Sequence, residues 1–81
     1  MGSRLSPRGM REETTITVLD YDASGDLIYS GKAEGGASKA SAGWQIKKYV
    51  YTSGNLTDIQ YADGNNNYDN IWNNRATLSY S

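Results

Sequence analysis

Polar and apolar residues alternate with a period of two in several short segments of the chain, the pattern of β-strands that bury one face. Residues 14–21 (TTITVLDY) are dense in β-branched side chains and set Ile16 and Val18 against the threonines and Leu19. Residues 44–51 (WQIKKYVY) alternate again, although Lys48 interrupts the apolar side. Both segments are predicted to be strands, with Lys48 snorkelling at a sheet edge.

Turn-forming residues separate these segments. Residues 22–26 (DASGD) contain Gly25, which is free to adopt positive φ, and residues 52–55 and 63–64 supply similar turns. Between and after them, three further extended runs are predicted, at residues 27–29, 56–62 and 76–80. The predicted fold is all-β, a small antiparallel sandwich or open barrel of about five strands built from hairpins.

The chain divides into a polar N-terminal arm and one folded unit. Residues 1–13 carry three arginines and the single proline without periodicity, and are predicted to be a flexible arm or an upstream-start extension, with ordering against a neighbouring subunit as the alternative. Residues 14–81 are predicted to be a single β domain. A domain of this size has a thin core, and the sequence contains no cysteine or histidine to reinforce it. Self-association as a homo-oligomer is therefore expected.

Charge and hydropathy narrow the set of partners. Eight basic and nine acidic residues give a net charge of -1, so neither nucleic acid nor an anionic membrane is expected to bind. No apolar run approaches the length of a membrane span, and no signal-peptide core follows Met1. Synthesis in the cytoplasm is expected.

Catalytic and metal-binding constellations are weak. Without His or Cys the familiar nucleophilic triads cannot form, and a small β domain is expected to have little room for a ligand pocket, so an enzyme is not predicted and no cofactor is expected. Asp20, Asp22 and Ser24 match the opening of an EF-hand calcium loop, but the twelfth position is Gly31 where a bidentate Glu is required. An ordinary hairpin turn explains the same residues, and they remain only weak metal candidates.

Aromatic side chains are the stronger signal. Trp44 and Trp72 are predicted to fill the core, because nothing else in the chain is as large. Tyr49, Tyr51 and Tyr61 fall on or near the face opposite Trp44, where they could stack on sugar rings or pack against another subunit. Tyrosine packing within the sheet is an equally good explanation.

The C-terminal segment supplies further candidates for an interface. Trp72, Arg75 and Tyr80 lie in or beside the predicted terminal strand, which could add to the sheet of a neighbouring molecule. For Arg75 the plain alternatives are a solvated charge and an ion pair with Asp69.

Beyond residue 14 the sequence resembles small virion-associated structural proteins of tailed bacteriophages. The segments that carry the resemblance are residues 20–25 (DYDASG), 31–33 (GKA), 42–48 (AGWQIKK), 62–65 (ADGN) and 72–81 (WNNRATLSYS). The resemblance implies a particle component, with other virion proteins as partners and the virion as its location. The expected function is a non-enzymatic decoration, neck or tail-fibre module, and the alternative is a carbohydrate- or cell-surface-binding module that uses an exposed tyrosine face.

Overall fold

The computed structural model describes residues 14–81, which form an antiparallel sheet followed by one short helix. The elements are β1 (Thr15–Tyr21), β2 (Leu27–Glu34), β3 (Ala42–Thr52), β4 (Asn55–Tyr61), β5 (Asn70–Ile71) and a 3₁₀ helix (Trp72–Thr77). The predicted arm, residues 1–13, lies outside the described residues. Within residues 14–81 no helix is long and apolar enough to cross a bilayer.

The five strands confirm the all-β, antiparallel class that the alternation predicts. Strands β1 to β4 lie side by side in chain order, and β5 pairs with the N-terminal end of β3, beyond the end of β4. Consecutive strands are neighbours because each connection is a hairpin or a short loop. The sheet stays open and does not close into a barrel.

Local turn chemistry explains the two tight hairpins. In the β1–β2 turn, the Asp22 carboxylate accepts backbone N–H groups from Ser24 at 2.9 Å and Asp26 at 3.0 Å, while Gly25 has φ of 91°. In the β3–β4 turn both central residues have positive φ, 53° at Ser53 and 86° at Gly54. Two successive positive values are the type I′ geometry that matches strand twist.

The C-terminal segment does not form the strand predicted at residues 76–80. The chain instead enters the 3₁₀ helix at Trp72, and only Tyr80 makes an isolated bridge, to Ala62. The Tyr80 hydroxyl donates a 2.7 Å hydrogen bond to the Arg75 carbonyl, which bends the segment back on itself. The prediction was wrong here because burying Trp72 against the sheet outweighs the β-propensity of a short segment.

The core lies between one face of the sheet and this C-terminal segment, and it confirms both tryptophans as its centre. Trp44 is fully buried and Trp72 is 5% exposed, with ring centroids 6.1 Å apart. The Trp44 indole N–H donates to the Ser38 carbonyl at 2.9 Å, so its one polar group is satisfied. The remaining buried apolar residues are Ala33, Ile46 and Ala62.

Candidate interaction surface

The register of the strands divides the side chains between two faces, because directly paired residues point to the same side of a sheet. One cross-strand row runs Val18, Gly31, Ile46 and belongs to the face that carries Trp44. This is the covered face, since the 3₁₀ helix packs on it. The next row runs Leu19, Ser30, Lys47, Tyr61 and belongs to the opposite side, which we call the exposed face.

Large apolar side chains collect on the exposed face. Its most solvent-accessible members are Leu19 (50% exposed), Tyr21 (54%), Leu56 (47%) and Ile59 (51%). Antiparallel sheets of this kind normally turn polar side chains toward water on the side away from the core. Four large apolar groups there indicate a surface suited to contact with a partner.

Two of the predicted tyrosines reach from β3 across to β2 on this face. The Tyr49 hydroxyl lies 3.0 Å from the Ser30 hydroxyl, and the Tyr51 hydroxyl donates to the Leu27 carbonyl at 2.9 Å. Burial and the nearby Asp26 and Asp22 carboxylates raise the pKa of Tyr51. Both rings are half-buried, so they pack within the sheet and also form part of the exposed face.

Tyr61, on β4, also lies on the exposed face. The Lys47 ammonium lies 5.5 Å from its ring centroid, within the range of a cation–π contact. Lys32 and Glu34 complete the charged groups on β2 at this side of the sheet. The exposed face therefore mixes aliphatic and tyrosine surface with a few charged groups, and tyrosine is a residue enriched at protein interfaces.

A β-bulge brings Leu56 and Ile59 to the same side. The register shifts between Val50 and Tyr51, so that Tyr49 pairs with Ile59 but Tyr51 pairs with Leu56. Leu56 and Ile59 are three positions apart, and in a regular strand they would point to opposite faces. The sequence shows the apolar residues of β4 but carries no signal for this bulge, whereas Leu19 and Tyr21 could have been assigned to this face from alternation alone.

The three C-terminal candidates lie on the covered side. Trp72 is buried, the Arg75 guanidinium lies over the Trp72 ring at 4.5 Å, and the Tyr80 ring packs against Tyr29 with centroids 5.7 Å apart. Burial raises the pKa of Tyr80 to about 12, with Tyr29 adding to the effect. These side chains hold the C-terminal segment onto the sheet and are not part of the exposed face.

Two of the three weak metal candidates, Asp20 and Asp22, have carboxylates that are engaged within the fold. Asp20 accepts a 2.9 Å hydrogen bond from Arg75 Nε. In the β1–β2 turn, the Asp22 carboxylate accepts a hydrogen bond from the Ser24 backbone N–H. The suggested pairing of Arg75 with Asp69 is wrong, because Asp20 faces Arg75 from β1 and Asp69 accepts instead from the Asn70 side chain. Among residues 14–81 no group of three or more acidic, Cys or His side chains could hold a metal.

A cleft lies at one end of the sheet, although little room for a ligand pocket is predicted from the small size of the domain. Its volume is about 530 Å³, and its lining consists of Thr15, Glu34, Ala37, Ala42, Gly43 and Tyr68. Thr15 begins β1, Glu34 ends β2, and Tyr68 belongs to the loop before β5. Tyr68 is 48% exposed at this cleft.

Comparisons of the chain with protein families, with curated proteins and with solved structures found no match.

Proposed function

We propose that this chain is a non-enzymatic assembly protein whose exposed face packs against other proteins. The observation that carries the proposal is the concentration of Leu19, Tyr21, Leu56 and Ile59 on the one side of the sheet that the C-terminal segment leaves free. Burying such a patch removes apolar surface from water, which is the dominant favourable contribution to most protein–protein association.

Two acidic side chains are engaged in hydrogen bonds within the fold, which supports a non-enzymatic function. Asp20 is held by Arg75 and Asp22 by turn N–H groups, so neither is free in the fold as a general base. A pair of carboxylates in contrasting environments is one arrangement that supplies acid–base catalysis without His or Cys.

The assembly we propose is a tailed-bacteriophage particle. The support is the resemblance of residues 20–25, 31–33, 42–48, 62–65 and 72–81 to small virion-associated proteins. Several of these segments form the hairpin and the packed C-terminal unit that fix the orientation of the exposed face. A decoration, neck or tail-fibre module would bind a repeating surface through such a face.

Glycan binding is the second candidate, and the cleft favours it. Tyr68 offers an exposed ring for stacking on a sugar, while Glu34 and Thr15 offer oxygen atoms to its hydroxyl groups. The half-buried Tyr49 and Tyr51 have their hydroxyls engaged within the sheet and are less suited to stacking. On this reading the ligand would occupy the cleft at the end of the sheet.

The two candidates are separated by one pair of variants. We would delete the gene from the genome that encodes it, purify the resulting particles, and add back purified chain, measuring the bound amount by quantitative mass spectrometry. Ile59→Lys is expected to lower particle binding at least tenfold, because a lysine would have to be desolvated in the contact. Tyr68→Ala is the matched control and is expected to bind as the unchanged chain does.

Two results would overturn the assembly proposal. One is absence of the chain from purified particles, and the other is undiminished binding of the folded Ile59→Lys variant. Binding of the unchanged chain on a glycan array, lost in Tyr68→Ala and kept in Ile59→Lys, would establish the second candidate instead.

A further inference from the structure

The outer edge of β1, the side away from β2, is a feature distinct from the exposed face and independent of the proposed function. Among residues 14–81 no strand pairs with this edge, because β1 has β2 as its only neighbour. An unpaired strand edge presents a row of backbone N–H and C=O groups that can pair with another chain.

Hydrogen bonds at the two ends of β1 show which residues supply that row. Thr14 accepts from the Gly35 N–H at 2.9 Å and Asp22 donates to the Asp26 carbonyl at 2.9 Å, so even-numbered residues direct their backbone groups toward β2. Directions alternate along an antiparallel strand. The odd-numbered residues Thr15, Thr17, Leu19 and Tyr21 therefore direct theirs outward.

The strand lacks the features that normally protect an edge. Residues 15–21 (TITVLDY) contain no lysine and no proline, and the one acidic residue, Asp20, is neutralised by Arg75. A register shift occurs only at the end, between Asp20 and Tyr21. The residue that this shift leaves unpaired, Ile28, belongs to β2, so residues 15–21 all remain available for pairing.

The other outer strand is less available. At the C-terminal end of β4, Tyr61 exchanges hydrogen bonds with Ser81 in both directions, at 3.0 and 3.2 Å, and the Asp63 N–H donates to the Ser79 carbonyl at 2.7 Å. The rest of β4 contains the bulge opposite Val50 and Tyr51. Bulges and short free lengths disfavour pairing with a further strand.

We propose that the β1 edge pairs antiparallel with the β1 edge of a second copy of this chain, about a two-fold axis at Val18. This register aligns the whole strand with itself, so that Thr17 meets Leu19 of the other copy and Thr15 meets Tyr21. The outward groups then form about eight intermolecular hydrogen bonds.

Side-chain placement agrees with this register. On the covered side Val18 lies beside Val18 of the second copy, and Asp20 lies opposite Ile16. The two Asp20 carboxylates are then about 13 Å apart along the strands, so like charges do not meet. The result is one continuous sheet of twice the width, which places two exposed faces side by side.

The experiment measures mass by light scattering and backbone protection by NMR hydrogen exchange on the full chain. A contact made of one strand pair is small, so we expect association between about 10 µM and 1 mM. At the upper end the mass should double, and the Thr17 and Leu19 amides should exchange at least tenfold more slowly than in dilute protein. The Ile16 and Val18 amides of the same strand should be protected at both concentrations, because they bond to β2.

Thr17→Pro tests the edge directly. It removes an outward N–H that has no hydrogen-bond partner within residues 14–81, so the variant should keep its melting transition and remain monomeric at every concentration. Ile59→Pro makes the same change on the outer side of β4 and should leave the dimer intact. If Thr17→Pro has no melting transition, Thr17→Lys replaces it, since a lysine on an edge opposes pairing.

A single-chain mass over the whole concentration range would overturn the proposal. So would a dimer in which the Thr17 and Leu19 amides exchange freely, or a folded edge variant that still dimerises. These results are distinguishable from failure of the assembly proposal. In that case the folded Ile59→Lys variant would still bind particles, and dimer formation would be unaffected.

Discussion

At Gly31 the sheet is in close contact with Trp72 of the C-terminal segment. A Cβ atom at this position would lie 2.5 and 2.8 Å from two atoms of the Trp72 ring and 3.1 Å from the Trp44 ring. Both rings are buried and cannot move aside without opening the core. At the scale of single residues, the absence of one side chain allows the two tryptophans to meet over β2.

Gly31→Ala is therefore expected to reduce the free energy of unfolding by about 1–3 kcal/mol through overpacking. Urea denaturation measures the change. Gly35→Ala is the matched control, because a Cβ there would have its nearest neighbour at 3.4 Å, an ordinary contact. Equal stability of the two variants would show that the rings do not pack on Gly31.

Ionisation of Tyr80 makes the free energy of unfolding depend on pH in the alkaline range. Its pKa in the fold is about 12, above the ordinary value of 10.0, so the folded state holds the phenolic proton more tightly than the unfolded state does. The contribution is complete below pH 10 and is lost as pH rises through 12. After allowance for partial exposure, we expect this loss to be about 1–2 kcal/mol.

Tyr80→Phe tests that contribution. The variant should be about 1 kcal/mol less stable at neutral pH, because the hydrogen bond to the Arg75 carbonyl is missing. Its stability should fall less steeply than that of the unchanged chain between pH 10 and 12. Parallel curves from urea unfolding across this range would contradict the assignment.

At the scale of elements, the turns and the bulge decide how the strands meet. The β3–β4 turn places Ser53 at φ of 53°, a region that serine adopts less readily than asparagine. The bulge opposite Val50 and Tyr51 then sets which apolar residues of β4 join the exposed face.

Ser53→Asn is expected to raise the stability by about 0.5 kcal/mol, since Asn-Gly is a favoured pair for a type I′ turn. Thermal unfolding followed by circular dichroism measures it. Ser53→Val is the control and should lower the melting temperature, because a β-branched residue is strained at positive φ. A melting temperature unchanged in both variants would show that the turn has another geometry in solution.

Calcium is expected to have no effect on the β1–β2 turn. The Asp22 carboxylate already accepts two N–H groups, and Asp20 is paired with Arg75. Addition of calcium or of a chelator should leave the melting temperature unchanged. An increase with calcium that Asp22→Ala abolishes would restore the calcium-loop hypothesis.

At the scale of the whole molecule, the C-terminal segment serves as the second layer of the fold. It covers the tryptophan side of the sheet, and its last residues pair with the end of β4 through Tyr61 and Asp63. Within residues 14–81 nothing covers the other side, which is the face that the assembly proposal assigns to protein contacts. The asymmetry that makes the core possible also creates the exposed face.

Truncation after Leu78 is expected to reduce the free energy of unfolding by about 2–4 kcal/mol, because it removes the backbone hydrogen bonds to Tyr61 and Asp63 and the packing of Tyr80 on Tyr29. Tryptophan fluorescence should shift to the red as water reaches Trp72. Deletion of Ser81 alone is the milder control. An unchanged fluorescence spectrum would show that the C-terminal segment stays packed on the sheet without the hydrogen bonds of its last residues.

The sequence by itself predicted a segment of each of the four long strands, the two tight hairpins and the tryptophan core, because alternation, β-branched runs and Gly-containing turns act over a few neighbouring residues. It also placed Tyr49 on the side opposite Trp44. The order of the strands in the sheet came from the tertiary structure. Only the tertiary structure decided that residues 72–77 form a helix, that Arg75 meets Asp20 and that a bulge turns Leu56 toward Ile59. These features depend on contacts between residues far apart in the chain, such as Trp72 over Gly31, and no local pattern encodes them.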